Sequence, residues 1–216
     1  MYRAGIIGCG RIGAESPDSH LQAYRDCDDV DLVSLCDLDK AKLSKNQEYG
    51  NIYREYEKML TCEDLDIISV CTSPETHSVI TCFSAKYVKA INCEKPIAET
   101  LEDADRMIEA CDKHGVILQV NHQRRFVKSK FKWSRGILNN GTHAFDLMRQ
   151  LGILDKVDME YIDSDEYIFG FDLEGGRPIL KGVEHLVECL KEGKQSISSG
   201  REARDTLYMV LKFKEE

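Results

Sequence analysis

The chain has 216 residues, 42% of them hydrophobic, so it can bury the core of one large domain or of one and a half average domains. Its net charge of −9 disfavours nucleic acid as a partner. No apolar run reaches the length of about 18 residues that a membrane helix needs, and no signal peptide is recognisable. We therefore expect a cytoplasmic protein that contacts neither nucleic acid nor membrane.

In chain order, apolar runs alternate with helical patterns up to residue 121, which is typical of a parallel sheet. The predicted strands are 4–8, 30–37, 52–53, 67–71, 90–94 and 116–121. The predicted helices are 18–26, 40–49, 56–61, 77–86 and 100–114. Thr100 is a candidate cap of the last helix, and Gly115 its left-handed stop. This order predicts an α/β fold, a doubly wound parallel (Rossmann) sheet over residues 1–123.

Residues 6–13 read Ile-Ile-Gly-Cys-Gly-Arg-Ile-Gly, which places three glycines at the GxGxxG spacing between a strand and a helix. In such a unit Gly8 permits a tight turn, Gly10 lets the backbone approach a pyrophosphate, and Gly13 allows close packing of helix and strand. Asp37 ends the second strand, where a carboxylate accepts hydrogen bonds from ribose hydroxyls. The pattern predicts a dinucleotide site; a glycine-rich turn in another α/β protein is the alternative.

Two details refine this site. Asp37 favours NAD over NADP, because its charge repels a 2′-phosphate and no arginine follows it immediately. Pro17 is typical of a helix start and not of a helix interior. The helix that should direct its N-terminus at the pyrophosphate is therefore expected to be broken or delayed.

The chain contains nine cysteines, none of them spaced as CxxC. Several lie inside apolar strand-like runs, where a thiol behaves as a small hydrophobic group. We therefore expect neither a disulfide framework nor a metal site. Cys9, between two glycines of the loop, is interpreted as a space-filling residue and not as a nucleophile.

After residue 124 the pattern changes. A basic stretch, 124–135, is followed by a Gly-x-His-x-x-Asp segment, in which His143 and Asp146 fall on a helical repeat. Two strand-like runs, a glycine turn and two amphipathic helices complete the chain. They are 157–162, 166–171, 175–176, 183–191 and 201–213.

Four segments follow one another in an order known from one family. They are the glycine loop at 8–13, Cys-Thr-Ser-Pro-Glu-Thr-His at 71–77, Cys-Glu-Lys-Pro at 93–96, and Asn-Asn-Gly-Thr-His-Ala-Phe-Asp at 139–146. The chain resembles the Gfo/Idh/MocA oxidoreductases, which include glucose–fructose oxidoreductase and inositol dehydrogenase. The resemblance covers the first 125 residues well and the remainder in pieces, and Glu-Lys-Pro is its most diagnostic part.

The resemblance implies hydride transfer between nicotinamide and a carbinol or ketone carbon of a sugar, sugar nucleotide or cyclitol. Lys95 matches the lysine that lies beside the nicotinamide and holds the reacting oxygen. His143 matches the histidine that exchanges a proton with the substrate hydroxyl. Asn139 stands where many members carry an aspartate, which leaves proton transfer to His143 and favours a sugar or sugar-nucleotide substrate.

The other candidate residues surround the cofactor and the substrate cleft. The expected cofactor ligands, besides the three glycines and Asp37, are Arg11, Ile12, Thr72, Ser73, His77, Glu94 and Lys95. The expected substrate ligands are Asn139, Asp146, Arg124 and Arg125. For His77, a structural role at a helix start is an equal alternative. For Arg124 and Arg125, the alternative is that they belong to a solvated basic linker.

The resemblance further implies that residues 124–216 form a shortened α+β domain for substrate binding and dimerisation, so that the chain could form a homo-oligomer. Two other functions stay open. A non-catalytic dinucleotide sensor or decayed relative would keep the first domain alone. Retention of Lys95 and His143 favours the enzyme, whereas the absence of most of the second sheet favours the sensor. A methyltransferase that binds S-adenosylmethionine is disfavoured by the full glycine spacing and by Glu-Lys-Pro.

Overall fold

The computed structural model describes residues 1–126, 128–133, 146, 169–174 and 176–215. Six parallel strands form one sheet in the order β3-β2-β1-β4-β5-β6. They are β1 (Tyr2–Ile7), β2 (Val30–Cys36), β3 (Asn51–Tyr53), β4 (Ile67–Val70), β5 (Ala90–Cys93) and β6 (Ile117–Val120). This order is that of the Rossmann fold, with its switch between β1 and β4. The predicted fold class is confirmed, and each predicted strand of the first domain overlaps an observed one.

Seven helices accompany the sheet in the described part of the chain. They are α1 (His20–Arg25), α2 (Lys40–Asn46), α3 (Tyr56–Cys62), α4 (Pro74–Ser84), α5 (Leu101–His114), α6 (Pro178–Glu192) and α7 (Gly200–Glu215). The predicted ends of α5 are observed: Thr100 Oγ1 accepts the N–H of Asp103 at 3.1 Å, and Gly115 is left-handed with φ +68°. None of the described helices is long and apolar enough to cross a membrane.

Side chains of successive strand residues enter two separate cores because they alternate between the faces of the sheet. On β1, Ile6 joins one buried cluster and Ile7 the other. Residues of α1, α2 and α6 line the Ile6 cluster, and residues of α3, α4, α5 and α7 line the Ile7 cluster. The sheet is therefore buried on both faces, as a parallel sheet requires.

Helices α6 and α7 complete the core of the first domain, although the sequence assigns them to the second region. Leu186 of α6 and Leu207 of α7 are each 1% exposed, on opposite faces of the sheet. The segment between these helices also continues the sheet: Val120 N donates to Ser198 O at 2.8 Å, and Ser198 Oγ donates back to Val120 O at 2.6 Å. It covers the free edge of β6.

The basic stretch contains a strand that the sequence analysis did not predict. β7 (Lys128–Trp133) pairs antiparallel with β8 (Phe169–Glu174), which overlaps the predicted run 166–171. The predicted strand 157–162 lies outside the described residues. The predicted domain boundary at 123/124 stays a prediction.

Candidate active site

The glycine loop leaves the carboxyl end of β1, and its three glycines meet different surroundings. Gly8 has φ +96°, and a Cβ there would lie 2.7 Å from the backbone carbonyl of Cys71. A Cβ on Gly13 would overlap the carbonyl oxygen of Gly8. A Cβ on Gly10 would meet only Lys42 Nζ, at 3.7 Å. Gly8 and Gly13 are thus required by packing, whereas Gly10 borders open space that a ligand can use.

The helix after this loop is interrupted, as Pro17 led us to expect. Arg11–Glu15 form one π-helical turn, and α1 begins only at His20. Ser19 caps α1 by accepting the N–H of Gln22 at 3.3 Å. At the start of α1, His20 lies within hydrogen-bond distance of Ser69 on β4 and of Glu94 directly after β5.

Asp37 extends from the end of β2 toward the glycine loop. Its Oδ2 accepts the N–H of Cys9 at 2.7 Å, and its Oδ1 accepts the N–H of Asp39 at 2.8 Å. Each carboxylate oxygen has a second lone pair, so both keep acceptor capacity for a ribose hydroxyl. The two backbone bonds fix the carboxylate beside the loop before any ligand binds.

The loops after β4 and β5 are joined by His77. Its ring is fully buried, with Nε2 3.0 Å from Thr72 O and Nδ1 3.1 Å from Pro96 O. Thr72 Oγ1 accepts a hydrogen bond from Thr76 at 2.7 Å, and Ser73 is the N-cap position of α4. The position of His77 in the first turn of α4 agrees with the helix-start interpretation, and its assignment as a cofactor ligand stays a prediction.

A buried polar network lies under the loop that carries Lys95. Glu94 Oε1 accepts hydrogen bonds from Asn121 Nδ2 at 2.5 Å and from His20 Nε2 at 2.9 Å. The other ring nitrogen of His20 lies 2.7 Å from Ser69 Oγ, which also bonds the Tyr24 hydroxyl at 2.7 Å. All five side chains are buried, so each depends on the others to satisfy its polar atoms.

This network keeps Glu94 charged and ties it to Lys95. Burial would raise the pKa of Glu94, but the hydrogen bonds from His20 and Asn121 and the nearby charge of Lys95 hold that pKa below its ordinary value. Glu94 Oε2 accepts the backbone N–H of Lys95 at 3.3 Å. The Lys95–Pro96 peptide bond is cis. Lys95 thus follows β5 at the carboxyl edge of the sheet, where open α/β sheets bind ligands.

A second buried cluster lies beyond β6. The Arg125 guanidinium forms a two-point ion pair with Asp146, with Nε 2.6 Å from Oδ2. The side chains of Arg125, Asp146 and the adjacent His122 are all buried. His122 Nδ1 lies 3.2 Å from Asp146 Oδ1, and Thr206 of α7 donates to the same oxygen at 3.1 Å. Burial would raise the pKa of Asp146, but the charges of His122 and Arg125 hold it well below its ordinary value.

The structure thus brings two predicted substrate ligands, Arg125 and Asp146, into contact with each other. The side chain of Arg124, together with Asn139 and His143, lies outside the described residues. Cys9 is buried, and burial raises the pKa of its thiol to about 12, which agrees with a space-filling role.

Residues 2–122 match the sequence profile of the Gfo/Idh/MocA proteins, an oxidoreductase family with an NAD-binding Rossmann fold. The chain belongs to this family. The match spans all six strands of the parallel sheet, from the start of β1 to the residues after β6. The predicted family and NAD as its cofactor are confirmed.

Two curated relatives carry names of sugar and cyclitol dehydrogenases. The D-apiose dehydrogenase of Paraburkholderia graminis is 35% identical over 189 residues, which are 86% of this chain and 45% of that protein. The myo-inositol 2-dehydrogenase of Thermotoga maritima is 34% identical over 143 residues, 65% of this chain and 41% of that protein. The chain therefore spans less than half the length of these relatives.

Solved structures of the family share the fold at low sequence identity. The scyllo-inositol dehydrogenase of Lactobacillus casei, with bound NAD(H) and scyllo-inositol, has a TM-score of 0.79 at 13% identity, with 100% of this chain and 96% of that chain covered. The WlbA dehydrogenase of Bordetella pertussis, in complex with NADH and UDP-GlcNAcA, has a TM-score of 0.73 at 19% identity. The superposition covers 97% of this chain and 94% of that chain. At these identities, both similarities establish a shared fold.

Sequence reasoning missed His20 and Asn121, the side-chain partners of Glu94. Neither belongs to a spaced motif, and His20 is 74 residues from Glu94 along the chain. A weak signal was present in Asn121, a polar residue that directly follows β6, as Glu94 directly follows β5.

Proposed function

We propose that the protein is an NAD-dependent oxidoreductase that transfers a hydride between nicotinamide and the carbinol or ketone carbon of a sugar, sugar nucleotide or cyclitol. The observation that carries this proposal is the pairing of Lys95 with a buried, charged Glu94 at the carboxyl edge of a family-typical sheet. A buried carboxylate with three bound donors is costly to assemble. Its use in fixing the backbone of one lysine supports a chemical role for that lysine.

The residues of the glycine loop fit NAD. Gly10 borders open space, as a backbone that approaches a pyrophosphate must, and Asp37 keeps acceptor capacity for ribose hydroxyls. NAD, when bound, supplies a nicotinamide ring that accepts or donates the hydride. The protein supplies binding, orientation and charge.

Lys95 is the proposed catalytic cation. Its ammonium group holds the reacting oxygen and stabilises the negative charge that develops there as the hydride leaves the neighbouring carbon. Glu94 and the side chains under it fix the loop that carries Lys95, so the charge does not have to be ordered during the reaction. Glu94 is therefore a positioning residue, in addition to its predicted place beside the cofactor.

His143 is the proposed proton carrier. Imidazole titrates near neutral pH, so it can take the hydroxyl proton during oxidation and return it during reduction. Asn139 orients the hydroxyl by hydrogen bonding and leaves the proton to His143, since an amide is no base. Both roles rest on the family resemblance.

The substrate class rests on the names of relatives and on the polar side chains beyond β6. The related proteins are named as dehydrogenases of D-apiose and myo-inositol, and the two solved relatives hold scyllo-inositol and a UDP-linked sugar acid. We assign substrate contacts to Arg124 and Asn139, and a part in the cleft wall to the ion pair of Arg125 and Asp146.

The test is a dehydrogenase assay that follows NADH absorbance with D-apiose, myo-inositol, scyllo-inositol and UDP-linked sugars. We expect turnover of at least one of these. A Lys95→Met variant should have a kcat lowered at least about 100-fold and a far smaller loss of affinity for NADH. Lys89→Met is the matched control, because Lys89 directly precedes β5 and pairs with Asp66 at the opposite edge of the sheet.

Three outcomes would contradict the proposal. Unchanged turnover in Lys95→Met removes the catalytic assignment. An equal loss in Lys89→Met attributes the effect to general charge or stability. Folded protein that binds NADH and turns over no substrate supports the non-catalytic dinucleotide-binding protein in place of the enzyme.

A further inference from the structure

A chain of hydrogen bonds runs from the Tyr24 hydroxyl to the Glu94 carboxylate through two other buried side chains. The Tyr24 hydroxyl lies 2.7 Å from Ser69 Oγ, and Ser69 Oγ lies 2.7 Å from His20 Nδ1. The other ring nitrogen, Nε2, lies 2.9 Å from Glu94 Oε1. Tyr24, Ser69 and His20 are each 0% exposed, so these groups must satisfy one another without bulk water.

The fold brings this chain together from two elements. Ser69 is a polar residue inside an otherwise apolar β4. Ile68 and Val70, on either side of it, join the core on the opposite face, so alternation places Ser69 on the face that α1 covers. His20 and Tyr24 are four positions apart on α1 and therefore share one side of that helix.

The direction of each hydrogen bond follows from the number of donors. Glu94 is charged, so its oxygen can only accept, and His20 Nε2 must carry a proton. Burial raises the pKa of Tyr24, so its hydroxyl keeps its proton, and in the described part of the chain this hydroxyl bonds only Ser69. A neutral ring then gives three donors for three contacts. A charged ring gives four donors for the same contacts, and one buried donor loses its acceptor.

We propose that His20 is a neutral imidazole with its proton on Nε2, and that Ser69 and Tyr24 are positioning residues that keep it in this state. This inference rests on the proposed role of Lys95. A neutral His20 gives Glu94 a hydrogen bond but no charge, so the full negative charge of Glu94 acts on the ammonium group of Lys95. Ser69 donates to Nδ1 and stabilises the neutral ring, and Tyr24 donates to Ser69 and so orients its hydroxyl.

The other ionisable groups around His20 leave this balance in place. Asp18 lies near the ring and favours a charged form, but the guanidinium of Arg177 and a backbone amide of α6 act on the same carboxylate. Cys71 lies near the chain, and burial raises the pKa of its thiol well above the ordinary value, so it adds no charge. Lys95 is the cation that compensates Glu94.

The first test is NMR of the histidine ring nitrogens in isotope-labelled wild-type protein, without nucleotide or substrate. The ring of His20 is assigned through its own backbone resonances. We expect a protonated Nε2 and an unprotonated Nδ1 from about pH 6 to pH 8. Two protonated nitrogens at neutral pH, or a proton on Nδ1 alone, would overturn the inference.

The second test compares kcat of Ser69→Ala with that of wild type over the same pH range. The variant loses the hydrogen bond that stabilises the neutral ring, so His20 takes up a proton at higher pH and withdraws the charge of Glu94 from Lys95. We expect kcat to fall about tenfold near pH 6 and less near pH 8, with a far smaller loss of NADH affinity. Tyr24→Phe should show a smaller effect in the same direction, and Ser69→Thr, which keeps the hydroxyl, should restore kcat.

Ser34→Ala is the matched control. Ser34 is equally buried in β2 of the same sheet, and its hydroxyl has no hydrogen-bond partner among the described residues. A loss of kcat in Ser69→Ala that does not vary with pH, or that Ser34→Ala reproduces, overturns the positioning role. Wild-type protein that has a neutral His20 and turns over no substrate contradicts the proposed function and leaves the assignment of His20 in place.

Discussion

The two halves of the sheet's carboxyl edge are built by different means. At β1 and β2 the site is mostly backbone, with glycines whose missing side chains leave space and one carboxylate fixed by two amide groups. At β5 and β6 it is made of buried side chains that bond one another, around Glu94 and around Asp146. We propose that the first half recognises the dinucleotide through shape, whereas the second half holds charged groups in place.

Because of this difference, we expect the two halves to respond differently to substitution. A backbone site fails when any atom is added to a glycine that packs against another strand. A side-chain network fails when one partner is removed, because a charge is then left buried and unpaired. The predictions below test these two modes of failure in turn.

The largest effect is expected for Gly13→Ala. The new Cβ would overlap the carbonyl oxygen of Gly8, so the loop and the strand before it must separate. We expect a loss of at least about 3 kcal/mol in the free energy of unfolding, measured by urea denaturation, together with loss of NADH binding.

Gly115→Ala is the control for Gly13→Ala. Gly115 has φ +68° and nothing within 4 Å of an added Cβ, so only backbone strain of about 1 kcal/mol is expected. If both variants lose the same stability, the close approach at Gly13 does not carry the effect.

The next largest effect is expected at the ion pair beyond β6. Arg125→Met leaves Asp146 buried with one cation fewer and should lower the free energy of unfolding by about 3 to 4 kcal/mol at neutral pH. The folded-state pKa of Asp146 is lowered, so its stabilising contribution is complete above the unfolded pKa and is lost as pH falls through the folded one.

The difference between wild type and Asp146→Asn should therefore be full at neutral pH and shrink below about pH 4. Thermal melts over this range provide the measurement. A difference that is constant with pH would mean that the charge of Asp146 contributes nothing and that only its shape matters.

A smaller effect is expected at Glu94. Glu94→Gln keeps an acceptor for Asn121 but loses the charge that faces His20, at a cost of about 2 kcal/mol in unfolding free energy. Because the network positions Lys95, kcat should fall by a larger factor than the affinity for NADH. Glu94→Ala should lower kcat further. A loss of NADH affinity as large as the loss of kcat would contradict the positioning role.

The smallest effect is expected at Cys9. Its thiol is buried and has a raised pKa, so Cys9→Ala should cost about 1 kcal/mol of stability and leave the turnover unchanged. Alkylation of the native protein, followed by mass spectrometry, should modify exposed Cys62 well before Cys9. Loss of activity in Cys9→Ala without loss of folding would assign this thiol a chemical role.

The sheet and the glycine loop could be predicted because their signals are local. Each strand is a short apolar run, and Gly8, Gly10 and Gly13 form one continuous motif. The delayed first helix was readable from Pro17 for the same reason. What these residues do depends on neighbours within a few positions, so the sequence pattern carries the information.

The side-chain networks could not be predicted, because their members are joined only by the fold. His20 reaches Glu94 across the sheet edge, and Arg54 reaches the Asp37 loop because β2 and β3 are paired. Strand β7 was missed because its alternating lysines read as a basic linker, although period-two alternation is itself a strand signal. The packing of α6 and α7 on the first domain likewise has no local signature.

The central claim is that the glycine loop binds the dinucleotide through open space beside Gly10. Its most direct test is a fluorescence titration of NADH with wild-type protein and Gly10→Val. Gly10 has an extended backbone, with φ −77° and ψ −160°, and only Lys42 Nζ lies within 4 Å of an added Cβ, so we expect the variant to fold, which circular dichroism checks. We predict at least about tenfold weaker binding by Gly10→Val, because its side chain fills the space of the pyrophosphate. Equal binding by the two proteins would contradict the account.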